Sequence, residues 1–175
     1  MNNDFRILSL RGTITVDNTG PLIEQILEYN YMDSALLQHE RIPIHLHIQS
    51  NGGVPADSFA LTDIILSSQT PVYTYCDGYV ESAALYPYLA GSKRYVYKHS
   101  RFMHHEISIT TDYTPLSEVE SILNLYKNYT ESINILFKER TRIRDFELAK
   151  HHASRSDWHL DSIKAMESGI ATDLI

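Results

Sequence analysis

The chain is poor in several features, and each shortage excludes something. Cysteine occurs once in 175 residues, as Cys76, so no internal disulfide framework can form and a reducing compartment fits. The simplest account of Cys76 is a small residue buried on a strand. Positive charge is scarce: 15 basic against 22 acidic residues leave a net charge of -7. That balance argues against nucleic acid or an anionic membrane as the main partner. No apolar run approaches the length of a membrane span, and Met1-Asn2-Asn3-Asp4-Phe5-Arg6 does not begin a signal peptide. A soluble, cytoplasmic protein is expected. There is also no internal repeat, low-complexity tract or linker, so residues 1–175 read as a single domain.

What is present is ordinary in bulk. The composition is 43% hydrophobic and 21% charged, typical of a globular protein large enough for a real core. One tryptophan stands against twelve tyrosines, and many of these lie between Tyr73 and Tyr97. Tyrosine suits surfaces that are half apolar and half wet, such as an oligomer contact or a substrate groove.

Hydrophobic periodicity lays out the elements. Ile7-Leu8-Ser9-Leu10 reads as a first strand. Asn18-Thr19-Gly20-Pro21 then signals a helix start, followed by Leu22, Ile23, Ile26 and Leu27 at helical spacing. Pro43–Ile48 alternates strictly as a strand and ends in Gln49-Ser50-Asn51-Gly52-Gly53. A helix from about Pro55 to Leu66, a strand at Val72–Cys76, and short strands at Arg94–Tyr97 and Phe102–His105 come next. This alternation predicts an α/β fold with parallel strand pairs. Thr114-Pro115 opens a long helix, with Thr114 as N-cap, whose Val119, Ile122, Tyr126, Tyr129, Ile133 and Leu136 form a narrow seam. The seam fits burial against another subunit or against the rest of the chain equally well.

The chemistry gathers around Asp77-Gly78-Tyr79-Val80-Glu81-Ser82-Ala83-Ala84. Ser82 follows a strand and opens a helix-like segment, where free N–H groups and the helix dipole can hold an oxyanion. On local sequence alone an ordinary N-cap is the simpler account of Ser82. As a nucleophile it needs a base and a group to orient that base. His104 and His105 end a short strand and point to opposite faces, so one of them can meet a site. Gly52-Gly53, between strand and helix, can bring bare backbone N–H groups close to a carbonyl, or can serve only as a tight turn. Asp157 precedes a short helix at Ser162–Glu167 and reads locally as a capping or solvated carboxylate. His45 and His47 share a strand face at a spacing that could grip a metal, but no cysteine or carboxylate cluster accompanies them, and no metal is expected.

In order and spacing these pieces resemble the proteolytic subunit of the Clp protease (ClpP), within the ClpP/crotonase fold, from about Arg6 to Leu174. Ser50-Asn51-Gly52-Gly53-Val54 is similar to the family's Ser-Pro-Gly-Gly element. Gly78-Tyr79-Val80-Glu81-Ser82 resembles its Gly-x-Ala-x-Ser turn. His99-Ser100-Arg101-Phe102-Met103-His104-His105 resembles its Asn-Ser-Arg-x-Met-x-His strand, which selects His105 over His104. Asp157-Trp158-His159-Leu160, followed by Ala165, Glu167 and Gly169, is similar to the segment that carries the acid.

The resemblance implies repeated β-β-α units with a protruding long helix, the handle, at about 107–141. It implies Ser82 as nucleophile, His105 as general base and acid, Asp157 as orienting carboxylate, and the N–H groups of Gly53 and Ala83 as oxyanion hole. Gly52, Val54 and Ile107 would bind substrate, with Ile107–Tyr113 as the strand that holds it. The implied activity is serine endopeptidase action on unfolded polypeptide, without cofactor, in a homo-oligomer of two stacked heptameric rings. An AAA+ unfoldase or a host ClpP subunit is the implied partner. Departures accompany the match: five residues precede the first strand where the family has an axial segment, and Glu81 puts a carboxylate beside the serine. Glu106-Ile107 also replace Gln-Pro after the histidine. Two other readings follow from these departures and from the fold, a non-catalytic subunit that co-assembles with an active one and a crotonase-like acyl-CoA enzyme.

Overall fold

The computed structural model holds one seven-stranded sheet whose third strand leaves the main pairing order for a second, shorter set of pairings. The structure describes residues 5–108 and 115–175. In chain order it runs β1 (Arg6–Arg11), α1 (Val16–Met32), β2 (Ile44–Ser50), α2 (Pro55–Ser67), β3 (Val72–Glu81), α3 (Leu85–Ala90), β4 (Lys93–Val96) and β5 (Arg101–His104). Then follow α4 (Leu116–Arg140), α5 (Asp145–Ser154), β6 (Trp158–Asp161), α6 (Ser162–Ser168) and β7 (Asp173–Leu174). The main pairing order is β1-β2-β3-β4-β7, all parallel. The second set contains a parallel bridge between Ile14 and Gly53 and the pairing of Tyr79–Glu81 with Arg101–Met103. It ends in the antiparallel ladder of β5 with β6. The expected α/β architecture of strand-turn-helix units is therefore present.

The strands form where alternation places β-branched and aromatic residues on a pleat. β2 alternates without a break, burying Ile44, Leu46, Ile48 and Ser50 while His45, His47 and Gln49 face outward. The inward residues join one apolar cluster with Leu10, Val72, Cys76, Val80, Phe102 and the helices. Cys76 is part of this core, and burial pushes its thiol up to about 12. Its structural role stands.

Helix starts were less legible. α1 begins at Val16, before the Asn18–Pro21 signal, because Thr15 and Asn18 form a capping box in which the Asn18 side-chain Oδ1 accepts the Thr15 N–H at 3.0 Å. Pro21 consequently lies inside the helix. α2 starts at Pro55 as expected. Pro87 is only the third residue of α3, where a missing N–H breaks no helical bond. Thr114 and residues 109–113 of the expected substrate strand lie outside the described residues.

The seam of α4 divides. Ile133, Leu136 and Phe137 are buried against the rest of the chain, and Tyr129 stacks on Phe59 at 5.6 Å. Nearer the start of the helix, Val119, Leu123 and Leu125 are exposed. Arginine donors hold the base of the helix. Arg140, the last residue of α4, donates to the carbonyls of Leu89, Ala90 and Gly91 at the end of α3. Buried Arg94 donates to the carbonyls of Arg140, Gly169 and Ile170. Burial and the nearby Arg140 lower its pKa to about 10.

At the opposite end, Arg6 and Asp33 form a buried bidentate pair, with N–O distances of 2.5 and 2.8 Å. Thr70 donates to the same carboxylate at 2.8 Å. The Arg6 hydrogen bond holds the Asp33 carboxyl below its ordinary 3.8. A depressed folded pKa contributes stability above the unfolded value, and that contribution is lost as pH falls through the folded value. We expect Asp33→Ala to lower unfolding free energy by about 3–5 kcal/mol, since it removes the carboxylate from a buried ion pair. Urea denaturation at pH 7 measures this, and the gap between variant and parent should close as the pH is taken below 3.8.

Candidate active site

The site is made by a bend in β3. Val72–Cys76 belongs to the main sheet, beside β2 and β4, whereas Tyr79–Glu81 pairs with β5 instead. Gly78 takes φ +113 at the turn between them. Ser100, buried, spans the bend: its hydroxyl donates to the Cys76 carbonyl at 2.8 Å and accepts the Gly78 N–H at 3.3 Å. The strand then stops abruptly at Ser82, which has φ +53. A serine in the left-handed region carries strain of about 1–3 kcal/mol, a cost concentrated at functional turns.

Ser82 is not the cap of a helix. A short 3-10 turn spans Ser82–Ala84, and the Ser82 hydroxyl points away from its backbone to His105, with Oγ–Nε2 2.6 Å. The same pairing that bends the strand delivers the histidine. Glu81 lies opposite Met103 in the ladder, so Ser82 and His105 follow their strands out at the same end. His104 faces the other way, as alternation predicts. It is buried with its ring 4.9 Å from that of Phe137, and burial lowers its pKa to about 3, so it stays neutral.

The glycine pair closes against this turn. A Cβ on Gly52 would meet Ala83 N at 2.9 Å and Ser82 Cβ at 2.7 Å, and Gly52 has φ +91. A Cβ on Gly53 would lie 2.3 Å from the Ile14 carbonyl oxygen. Ile14 donates to Gly52 O and accepts from Val54 N, a parallel bridge that leaves the N–H of Gly53 itself on the opposite side. Two buried serines brace the loop. Ser50 Oγ accepts the Gly52 N–H at 3.1 Å, and Ser58 Oγ donates to the Ala83 carbonyl at 2.6 Å. Ser58 belongs to no spacing pattern that would single it out in a sequence, whereas Ser100 falls within the His99–His105 motif.

Ser82 and His105 open onto a cleft of about 430 Å³, which Gly52, Gly53, Val54, Ala83 and Ile107 also line. Glu81 is not among the lining residues. Asp157 is in the neighbourhood without being bonded: the β5–β6 ladder pairs His104 with Trp158, so Asp157 is one step beyond, level with His105. Its side chain is exposed, and among the described residues no hydrogen bond or ion pair joins it to His105. His45 and His47 are taken up elsewhere. His45 Nδ1 lies 2.7 Å from Tyr75 Oη, and His47 Nδ1 lies 3.0 Å from the Asp77 carboxylate, on the open sheet face.

A parallel sheet whose strands turn into a second layer, with a strained serine against a histidine, defines an α/β fold of the ClpP/crotonase kind. The chain belongs to the Clp protease family, whose model, described as Clp protease, matches residues 3–175. It is a ClpP-family protease subunit. It is 29% identical over 184 residues to the ATP-dependent Clp protease proteolytic subunit 1 of Rhodopirellula baltica, covering 97% of this chain and 72% of that one. Against proteolytic subunit 2 of Treponema pallidum the identity is 25% over 181 residues, covering 98% and 83%. A solved structure of a Listeria monocytogenes ClpP1 variant shares the fold, with a TM-score of 0.81 over 98% of this chain and 92% of that chain at 24% identity. Among the described residues no helix is long and apolar enough to cross a membrane.

The braces make a direct prediction. Ser58→Ala and Ser100→Ala each leave a buried carbonyl without its side-chain donor, so each should cost about 1–3 kcal/mol of stability. Thermal unfolding of the two variants beside the parent measures this, and unchanged midpoints would remove both serines from the scaffold of the site.

Proposed function

We propose that the chain is a serine endopeptidase subunit that cleaves unfolded polypeptide by acyl transfer. The single observation that carries this reading is the 2.6 Å contact between the hydroxyl of Ser82, held at φ +53, and Nε2 of His105. In the reaction Ser82 Oγ attacks the peptide carbonyl while His105 Nε2 takes its proton. The N–H groups of Gly53 and Ala83 receive the oxyanion. His105 then protonates the leaving amine, and water, deprotonated by the same ring, releases the acyl group and restores Ser82. Asp157 serves as the orienting carboxylate after its side chain turns inward to His105 Nδ1, a rearrangement for which its position level with His105 leaves a short path. Gly52, Val54 and Ile107 flank the bound peptide, and no cofactor enters any step.

Assembly belongs to the same proposal. Residues 1–175 act as one peptidase unit, and the apolar side chains exposed on α4, Val119, Leu123 and Leu125, become buried between two copies. The product is a chamber of two stacked heptameric rings, fed by an AAA+ unfoldase. A second reading, a subunit without activity of its own that joins a host ClpP, is favoured by the unbonded Asp157. The acyl-CoA reading gains no support from the family match.

A fluorophosphonate should label Ser82 in the assembled particle, and Ser82→Ala should abolish both labelling and peptide hydrolysis. Asp157→Asn should lower kcat on the order of 10³- to 10⁴-fold if the carboxylate orients the imidazole. An assembled particle that is neither labelled nor active would transfer the argument to the non-catalytic subunit. Light scattering on Leu123→Asp should show smaller particles than the parent.

A further inference from the structure

His104 is a buried side chain whose chemistry the cleft leaves unused. It is 3% exposed, and among the described residues neither of its ring nitrogens has a hydrogen-bond partner. An imidazole carries a nitrogen lone pair and an N–H, and burying both without partners is costly unless a ligand meets them. The ring packs on Phe137 of α4 and lies 5.8 Å from the ring of His152 on α5. Asn134, one turn before Phe137 on α4, has a second buried and unpaired atom, its Oδ1. Asn134 and His152 line one cavity of about 320 Å³ between α4 and α5. Glu131, Lys138 and Asp145 line it too, and Lys138 donates to Asp145 at 3.3 Å, so the lining holds one more carboxylate than ammonium.

We infer that His104, His152 and Asn134 form a binding site for a transition-metal dication of the zinc and cobalt class. Two imidazole nitrogens and the Asn134 amide oxygen are its ligands, and water completes the coordination. At metal–nitrogen distances of about 2.1 Å, one tetrahedral ion holds two imidazole rings with their centroids about 5–6 Å apart. The 5.8 Å between His104 and His152 falls in that span. Imidazole selects zinc, cobalt, nickel or copper over magnesium and calcium, which take oxygen ligands. Among the described residues no group of three or more His, Cys, Asp and Glu side chains could hold a metal ion. The site is therefore a two-histidine one, with affinity on the order of micromolar, far weaker than a four-ligand structural zinc site. The cavity is the entry path, and half-buried His152 stands on it. A bound ion ties β5, whose next residue is His105, to α5, whose chain runs on to Asp157. The inference does not depend on the peptidase reading.

The chain's single tryptophan reports on the site, because Trp158 stacks at 3.9 Å on His151, the neighbour of His152. The full chain, stripped with EDTA and dialysed, is titrated with cobalt(II) and then with zinc(II). Cobalt should quench Trp158 fluorescence at one saturable equivalent per chain with a Kd on the order of 1–100 µM, and zinc should displace it where magnesium does not. His104→Phe keeps a ring on Phe137 but removes both nitrogens, and His152→Leu removes the second imidazole. Each should weaken zinc binding at least about 10-fold, while His45→Phe, on the open sheet face, should leave it unchanged. Zinc at a hundredfold excess over Kd should raise the parent's melting midpoint by about 5 °C and leave that of His104→Phe where it was. Absence of saturable quenching below about 100 µM, or zinc affinity that survives either His104→Phe or His152→Leu, overturns the site. If His104→Phe does not fold, as judged by its melting curve, His152→Leu decides alone.

Discussion

A strand that must change partners half-way along is the constraint on which the site depends. β3 has ten residues, and its two halves cannot share one flat sheet because β4 claims the first half and β5 the second. The direction change falls at Gly78, and a hydroxyl from the far side of the β4–β5 turn spans it. Everything chemical lies immediately downstream: the strained Ser82, the turn that presents Ala83, and the histidine that leaves β5 in step with the serine. A serine on a straight strand would have met none of these groups. The bend turns ordinary sheet pairing into a positioning device, because one ladder fixes both ends of the Ser82–His105 contact.

How much of this was legible beforehand follows from how local each signal is. The alternation of β2 is strict and its turn carries two glycines, so the strand, the loop and the start of α2 at Pro55 could be read directly. The order of histidines on β5 could also be read, since the pleat sends His104 and His105 apart. Other features depend on contacts remote in sequence. The early start of α1 depends on a box closed by Asn18, which reads as part of a later start signal. The ten-residue length of β3 was read as a strand plus a helix mouth, because a strand that switches sheets has no single period. Ser58 and Ser100 are single hydroxyls whose value comes from carbonyls 25 and 24 residues away. Asp157 was placed by its motif, and the β5–β6 register puts it level with His105 although no bond joins them.

Two groups of tyrosines that composition alone had joined lie on different surfaces. Tyr73, Tyr75 and Tyr95 sit on the open face of the main sheet, where Tyr75 stacks between His47 at 4.4 Å and Tyr95 at 4.7 Å. Asp77 adds a carboxylate shared by Arg11 and His47. That face is aromatic and hydrogen-bonding, well suited to half-wet contact. Tyr86 and Tyr126 belong to the cleft instead. One residue type thus serves two surfaces with different demands, because the pleat and the helix surface sort it differently.

The arginines at the foot of α4 have a mechanical consequence. Arg140 grips three carbonyls at the end of α3, and Arg94 grips Arg140's own carbonyl from below. The long helix is thereby geared to the short one that forms the cleft wall, with no slack residue between them. Any force that tilts the arm must either drag that wall along or break these bonds, so strain on the outer lever is felt at the serine's doorstep.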